Sequence, residues 1–151
     1  MKKKKIAIVF CALFIMIFVG IQFIPVTLSN PPVESDISAP PEVKSILKDS
    51  CYDCHSHETI WPWYSKVAPV SWLLASDAGE GREKLNFSAW SKYDPEKQSR
   101  LIAEAMDEVS EGGMPPWFYI LKHPEAKISP DELKILEAWA TQYRISKPLK
   151  N

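Results

Sequence analysis

The sequence predicts an all-α protein, with one N-terminal membrane-spanning helix followed by a small helical domain. Three observations carry this expectation. A 19-residue apolar run, Ile6 to Ile24, follows four consecutive lysines. Four later segments repeat apolar residues at helical spacing, two of them behind clear capping signals. No stretch shows the sustained alternation that a half-buried strand needs. Glycine is scarce, at 5 residues, and most of the 13 prolines fall before or between apolar segments. That pattern reads as short helices joined by rigid turns.

The first element is the run IAIVFCALFIMIFVGIQFI, in which Gln22 is the only polar side chain. At about 1.5 Å per residue it nearly crosses a hydrocarbon core. It is longer than the roughly 7–15 apolar residues of a cleaved signal peptide. Lys2 to Lys5 should stay cytoplasmic and send the rest of the chain across. Residues 1–24 are therefore expected to be a cytoplasmic lysine run and anchor, contacting the lipid bilayer through residues 6–24. The expected location is the inner (cytoplasmic) membrane, single-pass, with the domain on the periplasmic or extracytoplasmic side; cleavage after Ser29 is the alternative. Cys11 lies within the apolar run, without a preceding Leu-x-Ala/Gly lipid-attachment signal, and reads as a small apolar residue.

Pro25 to Pro41 is rich in Pro and Ser and poor in apolar residues. Residues 25–39 are expected to be a stiff spacer, leaving 40–151 as the domain. Its first helix should run from about Pro41 to Cys54, with Val43, Ile46 and Leu47 on one face and Pro41 in the first turn. A second covers about Val70 to Leu85, with Val70, Leu73, Leu74 and Ala78 as its stripe and Gly79 and Gly81 as weak points. A third opens with Asp94-Pro95, carries Leu101, Ile102, Ala105, Met106 and Val109, and stops at Gly112-Gly113. The fourth opens with the capping box Ser129-Pro130-Asp131-Glu132 and buries Leu133, Leu136, Trp139, Ala140 and Tyr143. The first and last helices should pack together.

Cys51-Tyr52-Asp53-Cys54-His55 is the C-x-x-C-H pattern of covalent haem attachment. Two cysteines three apart lie on one side of a helical turn, where both can bond to the vinyl groups of one haem, and the adjacent histidine then ligates iron. The cofactor expected is one covalently attached haem c, with Cys51 and Cys54 as attachment points and His55 as proximal ligand. Six Trp and 6 Phe are many for this length and suit a domain that packs on a large flat cofactor. The competing readings are weaker. A thiol redox pair favours a βαβ setting, a zinc site needs four ligands, and a disulfide here closes too small a loop to stabilise much.

Met114 is the first choice for the distal iron ligand. Gly112 and Gly113 let the backbone come close to a ring, and Pro115-Pro116 fixes the exit direction. Met106 falls in a helical stripe and reads as core. His57 is too near the motif to reach the opposite side, and His123 reads as an exposed loop end. Trp61, Trp63 and Tyr64 follow the motif; core packing is the first reading, and a hydrogen bond to a haem propionate the second. Arg82 and Lys66 could offset propionate charge, with a surface position as the default.

These residues carry a family resemblance. CYDCHSHET followed by WPWYSKVAPVSWL, then NFSAW, then GGMPPWFY resembles the bacterial haem-binding domain family of small membrane-anchored c-type proteins, over about Pro40 to Tyr143. The resemblance implies covalent haem at Cys51 and Cys54 and proximal ligation by His55, and it supports Met114 as distal ligand. The order of elements also resembles that of small cytochromes c.

His/Met ligation suits outer-sphere electron transfer, so a non-catalytic electron carrier is the leading expectation. A peroxidase-like enzyme or gas sensor requires an open sixth position, which Met114 opposes. A haem module used structurally by a partner is the third possibility. Beyond the anchor the chain has 14 basic against 19 acidic residues, a net of −5. That argues against nucleic acid and is compatible with basic redox partner proteins at the membrane.

Overall fold

Seven helices and three short 3-10 turns make up the regular structure of residues 2–146, which the computed structural model describes. Met1 and residues 147–151, the outer ends of the expected anchor and domain, lie outside the described residues. The expected all-α class holds: among the described residues the one β-type contact is an isolated parallel bridge between Ser35 and Ala89.

Helix α1, Lys2–Ile21, buries none of its residues and is long and apolar enough to cross a membrane. The one polar side chain of the apolar run, Gln22, meets the domain. Its amide nitrogen donates to the Ala68 carbonyl at 3.1 Å and its oxygen accepts from the Ala68 N–H at 2.9 Å. A residue that would be costly in lipid thus has both hydrogen-bonding groups satisfied by protein backbone.

Residues 25–39 do not stand off as a stiff spacer. Glu34 and Ser35 both donate their N–H to the Ser88 carbonyl, and Trp90 N–H donates to the Ser35 carbonyl. Ile37 enters the core at 2% exposure. Low apolar content hid this, because the strap is held mainly by hydrogen bonds, which leave no hydrophobic pattern in sequence.

Helix α2, Pro41–Ser50, buries Val43, Ile46 and Leu47. The expected continuation to Cys54 is interrupted. Cys51 leaves helical geometry, and a separate turn, α3 at Tyr52–His55, carries Cys54 and His55. Helix α4, Val70–Lys84, packs on α3 and on the 3-10 turn Trp63–Lys66. Its buried positions are Ser71, Ala78 and Gly81, while Val70 and Leu73 are exposed. The expected apolar stripe is therefore only partly the packed one; small residues bring the α4 backbone close to its neighbours.

Helix α5, Pro95–Ser110, starts as expected with the Asp94 side chain accepting from Lys97 N–H. It ends at Gly112, whose φ of +76° is the left-handed value that favours glycine, with the Gly113 and Met114 N–H groups donating back to the Glu108 carbonyl. A single turn, α6 at Trp117–Ile120, and α7, Pro130–Ser146, complete the chain. The Ser129–Glu132 capping box is formed in both directions. Ile46 and Leu47 of α2 share one core with Leu136 and Trp139 of α7, and α5 packs on α7. Phe87 and Trp90, from the NFSAW segment, fill the centre of that core.

Truncating the α7 anchor tests this packing. Trp139→Ala should cost roughly 3–5 kcal/mol in denaturant unfolding. A loss below about 1 kcal/mol would mean that the indole is not a core group and that α2 and α7 do not pair through it.

Candidate functional site

The C-x-x-C-H turn is held from three sides. Tyr52 is buried and stacks on Phe87, with ring centroids 5.2 Å apart and planes at 12°. Its hydroxyl donates to Asp36 Oδ1 and accepts from Lys44 Nζ at 2.6 Å. Burial works against the Asp36 carboxylate. Hydrogen bonds from Lys44 and Tyr52 and the charge of Lys44 outweigh it and hold the carboxyl below its usual range. On the second side, Phe87 N–H donates to the His55 carbonyl at 2.8 Å.

The third side is α4. His55 Nδ1 lies 2.9 Å from the Gly81 carbonyl and 3.1 Å from the Leu85 carbonyl. Carbonyls only accept, so this pattern assigns the proton to Nδ1 and leaves the lone pair of Nε2 available to a metal. Burial holds the imidazole below its ordinary pKa, partly offset by these two hydrogen bonds, so the ring is in the neutral form that ligates metals. Gly81 makes the approach possible: a Cβ there would sit 2.5 Å from the Cys54 carbonyl oxygen. Gly79, two residues earlier, has open space around it. Of the two glycines read as weak points, one is a requirement of the site and the other is not.

The chemistry of the two thiols disfavours a redox pair. Burial pushes Cys51 up to about 12, with the neighbouring Cys54 adding to it. Burial, with Asp53 and Asp77 beside it, pushes Cys54 up to about 11. Disulfide exchange needs a thiolate and hence a lowered pKa. A zinc site is disfavoured by geometry. His57 is engaged at Nδ1 with the Pro32 carbonyl and at Nε2 with the Asn86 side-chain amide, both at 2.8 Å. Among the described residues no three His, Cys, Asp or Glu side chains form a metal-holding group.

The segments after the motif and after Met114 meet. Tyr119 of α6 donates its hydroxyl to Asp53 Oδ2 at 2.7 Å, between the two cysteines in sequence. His123 stacks on Tyr119 at 4.5 Å and pairs its Nε2 with the Tyr64 hydroxyl at 3.1 Å. The Tyr64 hydroxyl is thereby paired with a side chain of the protein. Trp63 is 80% exposed and Met114 37%, whereas Met106 packs against the core. Arg82, expected at the surface, binds the Ser56 and Ser29 carbonyls and the side chains of Asn30 and Thr59. It clamps the 25–39 strap over the residues that follow the motif. Lys66 stays at the surface.

Two indole N–H groups, Trp61 Nε1 and Trp72 Nε1, are buried without a protein acceptor. Buried donors are normally paired. Two orphaned donors near a paired-cysteine and histidine motif fit a cofactor that brings its own carboxylates, as haem does. Apart from Val33 of the strap and Ile145 at the end of α7, the large apolar side chains left exposed beyond the apolar run fall in the same two segments, Ile60, Trp63, Val70 and Leu73 after the motif and Met114, Trp117, Phe118 and Leu121 from Met114 onward. Such surface in a small domain marks a binding site. The residues present therefore fit a haem. Sequence reasoning missed Trp72, Gly81, Asp53 and Tyr119. All but Gly81 stand inside the segments that carry the family resemblance, but nothing in their spacing reports a contact with a residue far along the chain.

The haem-binding domain family matches this chain over residues 16–142. No curated protein and no solved structure matches it.

The two glycines of α4 give a paired test. Gly79→Ala should stabilise by roughly 0.5–1 kcal/mol, the usual gain of Ala over Gly in a helix. Gly81→Ala should destabilise by about 1–3 kcal/mol through overpacking against backbone. Denaturant unfolding of the two variants with opposite signs is the expected result.

Proposed function

The chain belongs to the haem-binding domain family, and on that premise we propose that it is a mono-haem c-type cytochrome that carries electrons at the outer face of the cytoplasmic membrane. The observation that carries this reading is the aim of His55: the Gly81 and Leu85 carbonyls hold Nδ1 and leave Nε2 to iron, directly beside the half-buried thiols of Cys51 and Cys54. In this reading the Cys51 and Cys54 thiols would hold the haem, each by adding its S–H across one vinyl double bond, a step that needs no leaving group. His55 Nε2 and the Met114 thioether would ligate the iron. The indole N–H groups of Trp61 and Trp72 would pair with the carboxylates that the cofactor brings. Bound haem supplies a one-electron iron couple whose potential a Met ligand raises.

The rest of the chain suits a carrier. Lys2 to Lys5 favour a cytoplasmic N-terminus, and the apolar helix keeps the domain where membrane donors are. The acidic excess beyond the anchor suits a basic partner protein.

Two measurements test the proposal. Acid–acetone extraction of the holoprotein should leave haem on the chain, and Cys51→Ala with Cys54→Ala should abolish this retention. Haem released from the unaltered protein would end the covalent reading.

The closed sixth position is tested by spectra with and without carbon monoxide. The unaltered protein should show a Met–iron charge-transfer band and resist the gas. Met114→Ala should lower the reduction potential, turn the iron high-spin or water-ligated and admit carbon monoxide, while Met106→Ala should do none of this. Rapid binding by the unaltered protein, without the band, would favour a peroxidase-like or gas-binding protein instead.

A further inference from the structure

The segment that carries Met114 has little burial of its own. From Glu111 to Leu121 only Pro115 is buried, and Met114, Trp117, Phe118 and Leu121 are all exposed. Backbone hydrogen bonds from Gly113 and Met114 to the Glu108 carbonyl tie its start to the end of α5. Those bonds fix where the loop begins and do nothing to hold it towards the C-x-x-C-H turn. The polar contact that reaches the turn itself is the Tyr119 hydroxyl on Asp53 Oδ2, with the Tyr64–His123 pair beside it.

We propose that Tyr119 and Asp53 form a latch that holds the Met114 loop closed against the C-x-x-C-H turn, so that Tyr119 is a positioning residue for the distal ligand. The proposal rests on the reading of Met114 as that ligand.

Both halves of the latch are set in advance. Asp53 Oδ1 accepts from Ile60 N–H at 2.8 Å, and the Asp53 carbonyl accepts from the Thr59 hydroxyl at 2.7 Å. These bonds leave Oδ2 pointing at one partner. On the other half, the Tyr119 ring is stacked on His123, which is held by Tyr64 and by Glu125 on its second nitrogen. Burial and the Asp53 charge push the Tyr119 phenol well above its usual range, so it remains a donor at any ordinary pH. A neutral hydroxyl on a carboxylate is one of the stronger hydrogen bonds a protein makes. The latch joins residues 66 positions apart, one from the proximal motif and one from the distal loop. Its opening would release Met114 without disturbing the cysteines or His55.

The experiment uses the full-length holoprotein in detergent and compares the unaltered chain, Tyr119→Phe, Asp53→Asn and Met114→Ala. Readouts are the rate of carbon monoxide binding to the ferrous form, the Met–iron charge-transfer band, and covalent haem retention. Tyr119→Phe removes one oxygen and keeps the ring stack. It should retain haem and overall helicity, weaken the band, and raise the carbon monoxide rate on the order of ten-fold, the effect of losing about one hydrogen bond's worth of closure. Asp53→Asn keeps an acceptor without its charge and should fall between. In a Met114→Ala background Tyr119→Phe should add nothing, since no ligand remains to be held. An unchanged rate and band in both latch variants, with the unaltered protein closed, would overturn the latch alone. An unaltered protein that already binds the gas as fast as Met114→Ala would overturn the distal-ligand reading and the latch with it. Should Tyr119→Phe not accumulate, the same comparison is made with Asp53→Asn.

Discussion

The absence of a side chain at position 81 lets α4 lie against the backbone of the C-x-x-C-H turn, and the rest of the site is built on that contact. It brings the Gly81 and Leu85 carbonyls within reach of His55 Nδ1. Those carbonyls decide which ring nitrogen carries the proton, and burial keeps the ring neutral. A ligand histidine whose tautomer and orientation are fixed before any metal arrives loses little freedom on binding. The same close packing half-buries the two cysteines and pushes their thiol pKa values up, which favours the S–H form that an addition to a vinyl group would consume.

Around this contact the domain satisfies its buried polar groups in unusual detail, and it does so with long-range partners. Arg82 spends its guanidinium on four acceptors, two on the strap near residue 30 and two on the chain after the motif. Lys44, Asp36 and Tyr52 close a second network between strap, α2 and motif. Gln98, Trp90 and Tyr143 link α5, the NFSAW segment and α7. Against that background two unsatisfied indole N–H groups stand out, and they lie in the segments the family resemblance had already marked. Two local exceptions among the buried side-chain polar atoms of the described residues point to a missing acceptor rather than to loose packing.

The helices long enough for three or more turns were legible in sequence, because a repeated apolar face and a capping residue are local signals. Asp94 and Ser129 cap where the sequence places them, and Ile46, Leu47, Leu136 and Trp139 meet in one core. Elements of a single turn, α3 and α6, were not separable, since one turn has no period to detect. The strap was misread as a spacer for a related reason: it is anchored by hydrogen bonds and a single apolar residue, Ile37. The α4 stripe was only partly legible, Ala78 being packed and Val70 and Leu73 exposed, because its packed side is made of small residues, which hydrophobic periodicity does not register.

The sequence by itself determined the chemistry available: two cysteines and a histidine within five residues, an apolar segment able to cross a membrane, and a methionine between two glycines and two prolines. All of these are short-range patterns, set by covalent spacing or by composition. Only the tertiary structure decided how that chemistry is controlled. The tautomer of His55, the need for glycine at 81, the commitment of Arg82 to the strap, and the hydrogen bond from Tyr119 to Asp53 each join residues some 26 to 66 positions apart. A contact between distant residues depends on where the whole chain turns, and no single residue or local spacing carries that information.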